Sequence, residues 1–102
     1  MLRTVSVFAG LAWLIAGAAE AQSPPDLAKD KLCLSCHKID AKLVGPAYRD
    51  VASKYKGQAG AEAILIAKVK AGGKGVWGNV AMPPNNVTDE EAKMLVQWVL
   101  SQ

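Results

Sequence analysis

The chain has little of what a self-sufficient enzyme or a disulfide-knit domain requires. Only two cysteines occur, Cys33 and Cys36, which excludes a multi-disulfide scaffold. There is a single histidine, His37, and aromatic residues make up only 6% of the chain. Charged residues reach 21%, and the net charge of +3 comes without a clustered Lys/Arg block, so no nucleic acid is expected as a partner. A length of 102 residues leaves room for one domain and too little for a conventional α/β enzyme. No internal repeat or low-complexity tract is present. What is plentiful is apolar side chain, 51% of residues, which argues against a polar disordered tail. Chemistry in such a chain has to ride on something bound.

Arg3 is the only charge before Glu20, and Thr4 to Ala19 is uncharged and mostly apolar. That run is shorter than the roughly 20 residues a membrane-crossing helix needs, and Ala19-Glu20-Ala21 offers a small-x-small cleavage site. Residues 1–21 therefore read as a cleaved secretory signal peptide, leaving residues 22–102 as the mature domain with no stable membrane insertion. An uncleaved anchor is the alternative. Processing removes one basic and one acidic residue, so the net charge stays at +3. A domain this small usually needs a staple beyond its own core. A disulfide between Cys33 and Cys36 closes too short a loop to constrain much. A large apolar cofactor would supply the missing interior.

The periodicity predicts four helices and no strands. Ser23-Pro24-Pro25-Asp26 has the form of a helix start, with Ser23 as N-cap and Asp26 completing a capping box, and the helix is expected to run through Leu27 and Leu32 towards Cys36. A second spans about Ala47 to Tyr55, and a third about Ala59 to Lys70, stopped by Gly72-Gly73. The fourth opens on Thr88-Asp89-Glu90-Glu91, a capping box followed by Ala92, Leu95, Val96, Val99 and Leu100. The segment between the third and fourth helices is long and rich in glycine and proline, and loops of that kind inside small domains are usually functional.

Cys33-Leu34-Ser35-Cys36-His37 carries the chemistry, because a C-x-x-C-H run reads as covalent attachment of c-type haem. Two thiols one helical turn apart can each add to a porphyrin vinyl group, and the imidazole that follows lies under the macrocycle where it can bind iron. Three other readings remain: a thioredoxin-like redox pair, which lacks its βαβ context; a structural zinc site, which lacks a fourth ligand; and a simple disulfide. The export signal favours haem, since c-type attachment takes place outside the bacterial inner membrane.

With His37 committed, the sixth iron position is a matter of counting. No second histidine exists, and the mature chain has two methionines. Met94 falls inside the last helix, where packing is its ordinary role. Met82 lies in the long loop ahead of Pro83-Pro84, and prolines there bias it to an extended backbone and stiffen the segment. Met82 is the expected axial ligand.

At this point the chain resembles the small bacterial class I cytochromes c of the c-551/c-552 type. The resemblance covers residues 26–102. It rests on the C-x-x-C-H run, Val44-Gly45-Pro46-Ala47-Tyr48, Gly75-Val76-Trp77-Gly78, Met82-Pro83-Pro84-Asn85 and the closing Val96-Gln97-Trp98-Val99-Leu100-Ser101. It implies an all-α fold of about four helices wrapped around one haem c attached through Cys33 and Cys36, with the terminal helices crossing. Pro46 matches the proline whose carbonyl accepts from the proximal imidazole, and Trp77 matches an indole donor to a haem propionate. Lys68 matches a basic position that can face the same carboxylates, and Asn85 a polar position close to the methionine sulfur. The departure is Asn79-Val80-Ala81 before Met82, where relatives often have a further proline, which puts the stiffness of the loop in question.

His/Met ligation leaves iron no open position, which disfavours substrate binding and favours the ferrous state in a buried pocket. The expected function is a periplasmic single-electron carrier, not an enzyme. The resemblance implies redox protein partners: a terminal oxidase or nitrite reductase downstream, and an upstream cytochrome or quinol-oxidising complex. A monomer is expected, with Lys29, Lys31, Lys38 and Lys42 as candidates for steering acidic partners. A haem-based sensor or catalytic haem with a displaceable Met82 is the alternative, and a structural subunit of a larger redox complex is a third reading.

Overall fold

Ser23 starts the first helix with an extended backbone, and its hydroxyl accepts from the Asp26 amide at 3.4 Å. Pro24 and Pro25 take the first positions, where an amide donor has no partner to lose. The computed structural model describes Gly10 and residues 22–102; the expected signal peptide, residues 1–21, falls outside the described residues apart from Gly10. Only half of the expected Ser23/Asp26 capping box forms. The aspartate side chain is one methylene shorter than the glutamate or glutamine that usually returns to the N-cap amide.

This helix, α1, covers Pro24–Asp30 and does not continue to Cys36 as the sequence pattern predicts. The Lys31 amide closes the helix on Leu27, and Leu32 then adopts a left-handed backbone, φ 63° and ψ 17°. That conformation costs about 1–2 kcal/mol for a residue with a Cβ. It leads the chain into a tight 3-10 turn, Cys33–Ser35, with Cys36 as its C-cap and His37 next in the chain.

The second helix, α2, spans Tyr48–Tyr55, one residue short of the predicted start because Ala47 stays extended as its N-cap. Ala47 has no side-chain oxygen to offer. The Tyr48 and Arg49 amides instead donate to the Lys38 and Ile39 carbonyls, both at 2.9 Å, so the start of α2 is stitched to the segment just after His37. The third helix, α3, spans Ala61–Ala71 and begins later than predicted because Gly60, at φ 75°, serves as its N-cap. It ends at Gly72, φ 74°, whose amide donates to Lys68 O.

The fourth helix, α4, spans Asp89–Leu100 and carries the complete capping box. Thr88 Oγ1 accepts from Glu91 N at 3.1 Å, while Glu91 Oε1 accepts from Thr88 N at 2.9 Å. This helix organises the fold, since it packs against α1, α2 and α3. Ala92 and Leu95 close on Leu27, Ala28 and Val87, and Val96 closes on Val51, Tyr55, Ala61 and Leu65. No regular strand occurs among the described residues; one isolated antiparallel bridge joins Gly73 and Met82. Among the described residues the fold is all-helical with four α-helices, as predicted.

Candidate functional site

The 3-10 turn after α1 fixes the first wall of the site. The Cys36 and His37 amides both donate to Cys33 O, at 3.1 and 3.0 Å, which holds the two thiols and the imidazole on one short coil. Gly45 then donates its amide to Cys36 O at 2.7 Å, folding the following loop back on the turn. This approach brings Pro46 O within 2.8 Å of His37 Nδ1. With Nδ1–H donated to that carbonyl, Nε2 keeps the lone pair and is the nitrogen free to bind a metal.

The second wall comes from the loop between α3 and α4. Gly73 and Met82 pair through their backbones, and Asn85 binds the end of α3 through two donors. Its amide nitrogen donates to Val69 O at 3.2 Å, and its side-chain Nδ2 to the same carbonyl at 2.9 Å. A further contact runs from Asn85 Nδ2 to Pro83 O at 3.3 Å. Two prolines and these backbone bonds hold the loop that carries the Met82 side chain.

Between these walls lies a cavity of about 520 Å3, within the range of cofactor sites. Cys33, Cys36, His37 and Met82 all line it, together with Pro46, Lys68 and Trp77. Its floor is apolar, formed by Val51, Leu65, Val69, Leu95, Val96 and Val99 from three helices. Asn85 is not part of the lining. Of the residues singled out in the sequence, seven therefore converge on one space, and Asn85 acts on it only through the loop backbone.

Lys68 reaches across the end of its helix towards Gly73, where a Cβ would lie 3.1 Å from its ammonium nitrogen. Trp77 stays 43% exposed while lining the cavity, and Lys54 Nζ lies 5.6 Å from its ring centroid. No disulfide joins the two cysteines. Burial pushes the Cys33 thiol above its ordinary range, against a lowering backbone hydrogen bond and with a smaller push from Cys36. Burial likewise raises the Tyr48 phenol, and Cys33 and Cys36 add to the effect.

The residues fit a haem. The two thiols and an imidazole with one nitrogen free share an apolar cavity with a thioether, and basic and indole side chains lie beside them. No group of three or more His, Cys, Asp or Glu among the described residues is placed to hold a metal ion, so the thiols lack the companions a zinc site needs. The sequence singles Tyr48 out only as the end of the Val44–Tyr48 motif, with no role at the site, yet its ring stacks on His37 with centroids 5.0 Å apart and planes at 19°. The signal that could have found it is position: Tyr48 falls two residues after Pro46, whose carbonyl holds that imidazole.

Comparison with known proteins points the same way. The profile of the cytochrome c family matches residues 21–102. Cytochrome c-551 of Pseudomonas aeruginosa is 57% identical over 89 residues, covering 87% of this chain and 86% of that protein. Cytochrome c-552 of Nitrosomonas europaea is 46% identical over 98 residues, covering 95% and 93%. The crystal structure of wild-type Nitrosomonas europaea cytochrome c552 superposes with a TM-score of 0.73 at 47% identity, covering 76% of this chain and 96% of that one.

Proposed function

Because this chain belongs to the cytochrome c family, in its class I c-551/c-552 type, and is an electron carrier bearing one covalent haem c rather than an enzyme, we propose that His37 and Met82 are its two axial iron ligands and that it works in the periplasm after removal of residues 1–21. No helix among the described residues is long and apolar enough to cross a membrane. The observation that carries the ligand assignment is that one cavity is lined by Cys33, Cys36, His37 and Met82 at once.

The haem, when bound, supplies one-electron iron chemistry. Cys33 and Cys36 tether it. His37 offers Nε2 while Pro46 O holds Nδ1–H, and that hydrogen bond raises the basicity of the ring and fixes its tautomer. Met82 offers a thioether from a loop pinned at both Gly73 and Asn85. His37 and Met82 would together hold the iron of a bound haem and leave no coordination position for a substrate. Val51, Leu65, Leu95 and Val96 exclude water, and a dry His/Met site raises the reduction potential. Trp77 and Lys68 are suited to the propionate carboxylates, and Asn85 steadies Met82 through its loop.

Its partners in this reading are redox proteins: a terminal oxidase or nitrite reductase as acceptor, and an upstream cytochrome or quinol-oxidising complex as donor. Encounters of this kind use small, weak interfaces. The test is carbon monoxide binding to the reduced holoprotein. The wild type is expected not to bind it at neutral pH, while Met82→Ala, with haem retained, is expected to bind it and to show a lower potential. Prompt stoichiometric binding by the wild type would favour a sensor with a displaceable ligand, and an unchanged potential in the variant would remove Met82 from the iron.

A further inference from the structure

We propose that Tyr48 and Gly45 form a slot that fixes the rotation of the His37 imidazole, making Tyr48 a positioning residue for iron ligation. The inference rests on the reading of His37 as a ligand and adds what holds that ligand at one angle. The hydrogen bond to Pro46 cannot do so alone. A carbonyl accepts over a broad range of directions, so a ring held only at Nδ1 can still rock about that contact.

Two close neighbours limit this freedom. The Tyr48 ring lies 5.0 Å from the imidazole centroid, with the planes 19° apart. Gly45 closes on the same ring, since a Cβ there would come within 2.4 Å of Cε1, 2.8 Å of Nδ1 and 3.0 Å of Nε2. Gly45 does not occupy the left-handed region, so glycine is required there for space and not for its backbone conformation. Its backbone is itself fixed, donating to Cys36 O at 2.7 Å and accepting from Leu43 N at 3.1 Å.

Tyr48 is equally constrained. It is 6% exposed, starts α2 with its amide on Lys38 O, and meets Trp98 edge to face at 5.4 Å and 73°. Trp98 in turn packs against the cluster where α1 meets α4. The orientation of the imidazole is therefore referenced to the core through two further rings. A ligand plane held this way keeps one geometry in both oxidation states, as a carrier with little reorganisation needs.

The experiment uses the haem-loaded protein and proton NMR, reading the spread of porphyrin methyl resonances in the ferric state and the His37 ring protons in the ferrous state. Tyr48→Phe keeps the stacked ring and is expected to preserve both patterns. Tyr48→Leu removes the stacked ring and Gly45→Ala intrudes on the imidazole, and each is expected to shift the methyl pattern while circular dichroism and mass show a folded, haem-bearing chain. A folded Tyr48→Leu or Gly45→Ala protein with the wild-type pattern overturns the slot, as does a Tyr48→Phe shift as large as that of Tyr48→Leu. Should the leucine variant fail to load haem, the phenylalanine and alanine variants decide the matter between them. Absence of iron-shifted His37 protons in the wild type would instead sink the ligand assignment itself, which separates the two failures.

Discussion

Gly73 and Met82 exchange a pair of backbone hydrogen bonds, Met82 N–H to Gly73 O at 2.8 Å and Gly73 N–H to Met82 O at 3.0 Å. This single bridge ties the loop methionine to the residues that end α3, so the position of its sulfur depends on how that helix terminates.

Gly72 is the residue on which that termination turns. It sits at φ +74°, and a Cβ there would meet Met82 O at 2.4 Å and Pro83 C at 2.9 Å. Gly72→Ala is expected to destabilise the protein by roughly 1–3 kcal/mol through backbone strain alone. It is also expected to loosen Met82, giving reduced protein that binds carbon monoxide. Thermal unfolding and CO titration check both; an unaltered melting temperature and a CO-inert variant would show that the contact yields without cost.

Asn85 holds the same loop from its other end. Asn85→Ala removes the Nδ2 donations to Val69 O and Pro83 O but leaves the backbone bond to Val69 O in place. The expected loss is about 1 kcal/mol in denaturant unfolding, with haem attachment unchanged in mass. A loss several times larger would mean that Asn85 touches the iron ligand and not only its loop.

The contact of α1 with α4 depends on small residues. Ala28 and Ala92 are 1% and 0% exposed and belong to one cluster. Ala92→Leu has nowhere to place its extra carbons without moving α1, and is expected to cost roughly 1–3 kcal/mol. Since Cys33 packs against the same cluster, the visible spectrum should respond as well as the melting temperature. Neutral behaviour in both would mean that the terminal helices are not closely packed there.

The capping box of α4 sets a pH dependence. The Glu91 carboxyl lies below its ordinary range, chiefly through the hydrogen bond from the Thr88 amide, with Lys31 at 3.9 Å and the Thr88 hydroxyl adding to the effect. A carboxylate lowered in the folded state contributes stability that is complete above its unfolded pKa and is lost as pH falls through the lower folded value. Glu91→Gln should therefore be less stable than the wild type at neutral pH and converge on it as pH falls from the usual carboxylate range through the lower folded value. Parallel acid profiles for variant and wild type would remove Glu91 from that dependence.

Much of this protein is legible in local pattern. The prolines after Ser23, the Thr88–Glu91 box, the apolar face of α4 and the glycines that stop α3 act over a few residues, so spacing alone reveals them. The C-x-x-C-H run has the same character, because its thiols and imidazole come from a single turn of chain. Met82, which lines the cavity, stands out between two methionines by its loop position and its prolines.

Contacts between segments were not legible in this way. The left-handed Leu32 that breaks α1 has no signature in its side chain; it follows from the turn that must carry Cys33 and His37 into the cavity. Ala47 as the cap of α2 likewise depends on carbonyls of Lys38 and Ile39 arriving from elsewhere. Composition and order of residues determined that a small helical chain would carry one covalent haem c at Cys33 and Cys36. Only packing decided that Gly45 and Tyr48 would close on the imidazole and that Gly73 would hold Met82, because such pairings need loop segments to fold back into contact in a way no local residue pattern encodes.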